Sequence, residues 1–453
     1  MSDVQDLLEE LATDGAARGA DAVFAGAVTR AARHRRVRRR RVFSAVGSVV
    51  VLAVVVSVVA RPTSPTPDHS RVGVNAATTT TTIASATAEQ LAGGHWSTIP
   101  AGPLSARYSA SEAWTGKELI VWGGIDTPSG KPNNDGAAYD PTARKWRVLP
   151  PSPLTPREGA AAIWTGSEVV FWGGVLPEPP GRVTRASVAA VAYSPETNSW
   201  RSIGAAPLAP INSPFGVWTG KRVILFAAAE AAAYDPVTGR WERLPSPTPA
   251  HKPLAWAFAA AAGPGRVLAW SESYGRRTVG PGETVGYGGT DLFRYDEASR
   301  SWTALGSDPF SRPDAAFWTG RRLLVRGQMS AGAGGPEFSA WYDVVTGAAT
   351  SLPTDAMNAN GGMASGLSAA WTGKALWSFN AAGQFGTVLL GEASVYDAAG
   401  NTWRRIPRAP FTCTPAPPVW TGATIVLYCG APDRARTGPI GGLEYTPGLQ
   451  GKD

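Results

Sequence analysis

Three arginines hold comparable places ahead of a recurring tripeptide. Arg107 and Arg157 each lie seven residues before the Trp of a Trp-Thr-Gly, and Arg312 lies six before another. A guanidinium is a planar fork of N–H donors that fits the two oxygens of a carboxylate. Gathered at one mouth, three such groups suit a carboxylate-bearing glycan or peptide; the plain alternative is solvated or locally paired arginine. Acid–base chemistry has candidates in Glu158, beside Arg157, and in Glu272, Glu283 and Glu337. Metal chemistry is poorly supplied. The four histidines are His34, His69, His95 and His251, too scattered for a multi-histidine centre. No Gly-x-Ser-x-Gly elbow occurs, so a serine triad has neither its turn nor a ready base. No cofactor is expected.

The elements that position these residues are written in the repeat. Trp-Thr-Gly recurs at Trp114, Trp164, Trp218, Trp318, Trp371 and Trp420, with gaps of 49 to 54 residues and one about twice as long. The long gap hides a worn copy, Ala262-Gly263 before Arg266-Val267-Leu268-Ala269-Trp270. Self-similarity near this period marks a radial array of small sheets. One unit reads clearly over residues 157–204: a small-residue strand to Trp164, a Thr165-Gly166 turn, an apolar strand to Trp172, then Gly173-Gly174. A third strand ends at Tyr193, and a fourth follows from Trp200. The turn between them recurs as Tyr-Asp-Pro with a tryptophan at Trp146 and Trp241, and more loosely at Trp302 and Trp403. Aspartate can bond its own backbone two residues on, and proline presets the first corner of a type I turn. The third-strand tyrosines are Tyr139, Tyr193, Tyr234, Tyr295, Tyr342, Tyr396 and Tyr445.

The last unit stops at Tyr445-Thr446-Pro447 without a fourth strand, while residues 95–100 (His-Trp-Ser-Thr-Ile-Pro) look like an orphan one. Joining them closes a ring of seven blades and leaves no exposed sheet edge. The expected fold is therefore all-β, a seven-bladed propeller closed by an N-terminal strand and preceded by one transmembrane helix. The Gly-Gly after a second strand, with spaced Tyr and Trp, resembles the kelch motif of the galactose-oxidase-like propellers. The resemblance covers residues 95–447, although Gly-Gly survives only at Gly123-Gly124 and Gly173-Gly174. It implies that the fourth-strand tryptophans pack between blades. Copper oxidases of that family need paired His and Tyr ligands, which this sequence does not offer.

Strand order sorts the connections. The Thr-Gly and Asp-Pro turns share one face; the longer connections, 125–136, 175–187, 271–291, 327–338 and 380–392, share the other. Variable loops on a rigid scaffold are the usual setting for binding. Cys413 and Cys429 flank the last Trp-Thr-Gly, so pairing those strands puts position 413 opposite about 430, and a disulfide is expected outside the reducing cytoplasm.

Before the repeats, residues 42–60 form an uncharged apolar run, about 28 Å long as a helix and so close to a bilayer's hydrocarbon thickness. Residues 35–41 (Arg-Arg-Val-Arg-Arg-Arg-Arg) precede it, which orients the 1–41 tail to the cytoplasm and the bulk outside. A cleaved signal peptide is the alternative. Residues 61–94 are Pro-, Thr- and Ala-rich and read as an extended stalk, and 448–453 as a short tail. The net charge is +7, of which the first 41 residues supply +3 from nine Arg against six acids. The remainder gives no case for nucleic acid. The expected partners are an envelope protein, peptide or glycan, with the membrane contacted through 42–60. A carbohydrate-active enzyme of epimerase or lyase type, with a Glu/Arg pocket, is the competing expectation.

Overall fold

The computed structural model describes residues 85–448, apart from 178–184, 213, 248–254, 281–282, 309–311, 329–336, 355–366, 381–391, 411–412, 416 and 433–440. These residues belong to the second of two compact units, Pro67–Asp453. The expected cytoplasmic tail, the membrane span, most of the stalk and all of the final tail but Gly448 lie outside the described residues. No helix among the described residues is long and apolar enough to cross a membrane.

Seven sheets follow one another along the chain. The first holds Ser111–Trp114, Leu119–Trp122, Gly136–Asp140 and Lys145–Val148, all antiparallel and in sequential order. Five further four-stranded sheets repeat this order, from Ala161–Trp164 in the second to Thr402–Ile406 in the sixth. The seventh contains Val419–Trp420 with Cys413–Pro415, then Ile425–Pro432, Gly442–Thr446 and, from the far end of the chain, His95–Ile99. His95–Ile99 runs antiparallel to Gly442–Thr446, with Trp96 opposite Tyr445.

The core explains the radial arrangement. A strand of alternating side chains presents two faces, and here both are apolar. Ala161 and Ile163 pack toward the third blade, while Ala162 and Trp164 pack toward the first. Seven hydrophobic clusters result among the described residues, and each joins two consecutive blades. One of them joins the seventh to the first through Ile99, Val426 and Tyr428 against Leu119, Val121 and Tyr139.

The repeated residues have local reasons. In the Trp-Thr-Gly turn the threonine hydroxyl accepts from the amide three residues on and donates to that residue's carbonyl, as Thr115 does with Glu118 at 2.8 and 3.0 Å. Thr165, Thr219, Thr319, Thr372 and Thr421 repeat the clasp. In the Asp-Pro turn Asp140 Oδ1 accepts from the amides of Thr142 and Ala143. The fourth-strand tryptophans fasten neighbouring blades. Trp146, Trp200, Trp241 and Trp403 donate their indole N–H to Pro100, Pro150, Ile203 and Pro353 carbonyls at 2.7 to 2.9 Å, each on the preceding blade. Trp96 does the same to Pro407 at 2.7 Å.

Two differences from the sequence reading concern extent. The stalk was expected to run to Gly94, yet a short helix, Ala88–Ala92, with a Thr87/Gln90 capping box, buries Ala88 and Leu91 in the cluster between the sixth and seventh blades. Residues 271–291 were expected as a loop. Instead Arg266–Gly280 and Glu283–Asp296 form one long hairpin, paired from Arg266↔Asp296 to Gly280↔Glu283. The Tyr, Thr and Val content of this stretch favours extended backbone, which is why pairing continues past the blade.

Candidate functional site

The loop-rich face is built around the corners that follow the second strands. Gly123 and Gly124 adopt φ of 70° and 87°. A side chain there would also collide with backbone, since a Cβ on Gly123 would sit 2.9 Å from Arg157 O, and one on Gly124 2.8 Å from Tyr108 O. Gly173-Gly174 repeats the corner in the second blade with φ of 75° and 83°.

Arg107 and Arg157 occupy equivalent places behind these corners. Arg107 is 1 % exposed and donates from Nε to Ser105 O at 3.1 Å, from Nη1 to Gly123 O at 3.0 Å, and to the Asp135 carboxylate from Nη1 at 2.7 Å. Arg157 is 2 % exposed and donates to Thr155 O, Gly173 O and Thr155 Oγ1 at 3.0, 2.8 and 3.0 Å. Neither guanidinium faces solvent directly, so both brace the approach strand against the glycine corner. Burial lowers the Arg157 pKa to about 10, because no carboxylate offsets the loss of hydration. Arg312 heads the first strand of the fifth blade, opposite Gln328; its side chain lies outside the described residues. The structure thus brings Arg107 and Arg157 to neighbouring corners of one face and fixes Arg312 by backbone register alone.

Among the glutamates, the side chains of Glu272, Glu283 and Glu337 also lie outside the described residues. Glu158 is half-buried, and desolvation raises its pKa against a lowering hydrogen bond from Ser109. Sequence reasoning missed Glu112. It lies on the first strand of the first blade, where Ala162, Gly216, Ala316 and Ala369 hold the matching places two residues before Trp. Its Oε2 is buried without a hydrogen-bond partner, and burial raises its pKa well above the ordinary glutamate range. The available signal was the charge itself: a single acid in a small-residue register.

A groove of about 670 Å³ opens beside the second blade, lined by Leu176, Arg185, Ser187, Val188, Ala189 and Pro210 among others. It lies between the short Val175–Leu176/Arg185–Ala186 ladder and the third and fourth strands. Cys413–Pro415 pairs with the Ile425–Pro432 strand as Cys413↔Pro432 and Pro415↔Cys429, with a register shift between them. Cys429 is disulfide-bonded, and the sequence holds one other cysteine, Cys413.

Seven radial sheets, six of four strands and one of five, define a seven-bladed β-propeller with this groove on its irregular face. No family model matches the chain, and no curated protein matches it. Solved structures do. A fungal alcohol oxidase of the AA5 family, determined in complex with copper, shares 12% identity at a TM-score of 0.55, over 78% of this chain and 76% of its own. YjhT shares 16% identity at a TM-score of 0.42, over 55% of this chain and 84% of its own. At 12% identity the likeness to the oxidase is one of fold. The copper belongs to that oxidase; among the described residues here no three of His, Cys, Asp and Glu come together to hold a metal.

Proposed function

We propose that this protein is a membrane-anchored, extracytoplasmic propeller whose loop-rich face binds a protein, peptide or glycan of the cell envelope. The observation that carries the reading is the asymmetry of the two faces. Clasped Thr-Gly and Asp turns make one face regular, while the other carries the glycine corners, the short added ladders, the long hairpin and the groove. A fixed scaffold with one irregular face presents shape without having to order itself on binding. The apolar run 42–60, the arginines before it and the Pro/Thr-rich stretch after it support the anchored topology.

The test is crosslinking capture with the full-length tagged chain in its own membranes, alongside protease access to intact cells. The expected result is C-terminal cleavage from outside and a captured species that Leu176→Arg in the groove wall removes and Val237→Arg on the opposite turns does not. A C terminus protected in intact cells, or capture indifferent to the loop-rich face, refutes the reading.

Glu112 favours a second reading, a carbohydrate-active enzyme of epimerase or lyase type. A carboxyl whose pKa burial raises holds its proton to higher pH and can act as a general acid. Turnover of envelope sugars abolished by Glu112→Gln would establish it.

A further inference from the structure

The first two blades match residue for residue at the glycine corner, and one difference stands out. Arg107 and Arg157 make the same neutral contacts, to the serine or threonine two residues back and to Gly123 O or Gly173 O. Arg107 adds a two-pronged contact with Asp135, at 2.7 and 3.2 Å. The position matching Asp135 is fixed by hydrogen bonding: Gly123 N donates to Asp135 O, and Gly173 N donates to Ala189 O. Alanine therefore stands where the carboxylate should be. The preceding position differs too. Trp122 Nε1 donates to Asn134 O at 3.0 Å, whereas the carbonyl at the matching position, Val188 O, accepts from Ala206 N, and the buried Trp172 Nε1 has no partner. The second blade thus keeps the buried cation but lacks the carboxylate that meets it in the first. Leaving such a group unmet is costly, and a ligand that meets it recovers that cost.

Val188 and Ala189 both line the 670 Å³ groove, and Arg185 stands on the same wall. We propose that this groove binds a carboxylate carried on an apolar peptide segment, the carboxylate lying over Ala189 and taking on Arg157 the place that Asp135 holds on Arg107. Arg157 need not move into the open for this. Arg107 is equally buried, yet it meets a carboxylate whose own side chain is 53% exposed. The wall selects the class. Leu176, Val188 and Pro210 are apolar, and among the described residues no aromatic platform for a sugar ring lines the groove. A peptide C terminus with an apolar last residue fits both features. This inference rests on the binding role of the loop-rich face and gives the chemistry of one site on it.

The experiment is calorimetric titration of the full chain with N-acetyl-Leu-Val as the free acid, its C-terminal amide, and galacturonate. The free acid is expected to bind, and the other two to bind about tenfold or more weakly, the loss of one charge-assisted contact. Ala189→Asp supplies the chain's own carboxylate. It is expected to abolish acid binding while raising the melting temperature by roughly 1–3 °C. Ala189→Asn has the same shape without the charge, and is expected to weaken binding without raising the melting temperature. Acid and amide binding alike, tighter binding of galacturonate, or Ala189→Asp binding the acid unchanged each overturns the proposal. So does a failure of the acid to bind at all, even if Ala189→Asp melts higher. Should Ala189→Asp not fold, the acid/amide comparison on the unsubstituted chain decides. Envelope capture that persists in Ala189→Asp leaves the wider binding role standing with its ligand elsewhere on the face.

Discussion

Glu112 shows how one residue can couple this fold to pH. Its Oε2 is buried without a partner, so the charged form loses hydration and gains nothing in return. Desolvation accordingly raises its pKa well above the ordinary glutamate value. Between the unfolded and folded values the folded chain binds more protons than the unfolded one. Stability must then fall as pH rises through that window, and it is fully present below the unfolded value. Glu112→Gln removes the titration while keeping the shape. The variant should melt higher than the unsubstituted chain at pH 7 to 8, with the difference closing toward about pH 4, where both forms of the site are neutral. Thermal melts across that range decide it. A difference that is the same at every pH would mean that packing, not ionisation, separates the two proteins.

At the scale of the element, the fourth-strand tryptophan separates two contributions. Trp200 lies 4.8 Å from Tyr193 and 5.4 Å from Phe171 between ring centroids, and its N–H reaches Pro150 O at 2.9 Å. Trp200→Phe keeps most of the ring burial and loses the bond between blades, so it should cost about 1 kcal/mol. Trp200→Ala loses both and should cost about 3–5 kcal/mol. Denaturant melts giving equal losses would assign the whole effect to the hydrogen bond. Replacing both cysteines by serine should cost at most about 3 kcal/mol, the loop-entropy value for a short closure. Equal melting with and without reductant would show that the link does not stabilise the domain. These elements were legible because each is local: Trp-Thr-Gly, Tyr-Asp-Pro and Gly-Gly declare their turns within a few residues. The site was less legible because its contacts are not. Arg107 meets Asp135 28 residues away, and Arg147 bonds Glu118 29 residues back and Tyr193 46 residues on. No periodicity reveals that Ala189 replaces an acid until the two corners are aligned through their glycine amides. The long hairpin was hidden for the opposite reason, since its pairing is local but its length breaks the repeat.

The whole molecule depends on the first strand meeting the last. His95–Ile99 pairs with Gly442–Thr446, and Trp96 packs 4.9 Å from Tyr445 and 5.8 Å from Trp377. Its N–H bonds Pro407 on the sixth blade, while Pro100 O accepts from Trp146 on the first, so this one strand ties three blades together. Arg144 on the first blade adds bonds to Glu444 and to Thr98 O. Removing 95–100 bares the edge of Gly442–Thr446, empties the place of Trp96 and cuts both tryptophan bonds. The loss of one well-packed tryptophan alone is about 3–5 kcal/mol, against a typical domain stability of about 5–15 kcal/mol. Deletion of 95–100 should therefore leave a chain that aggregates, through the exposed edge, and shows no cooperative melt. Deletion of 1–84 removes none of these contacts and should leave the melt intact. Light scattering and calorimetry on the two deletions decide the matter. A soluble, cooperatively melting protein lacking 95–100 would mean that the seven apolar interfaces hold the ring without its terminal strand.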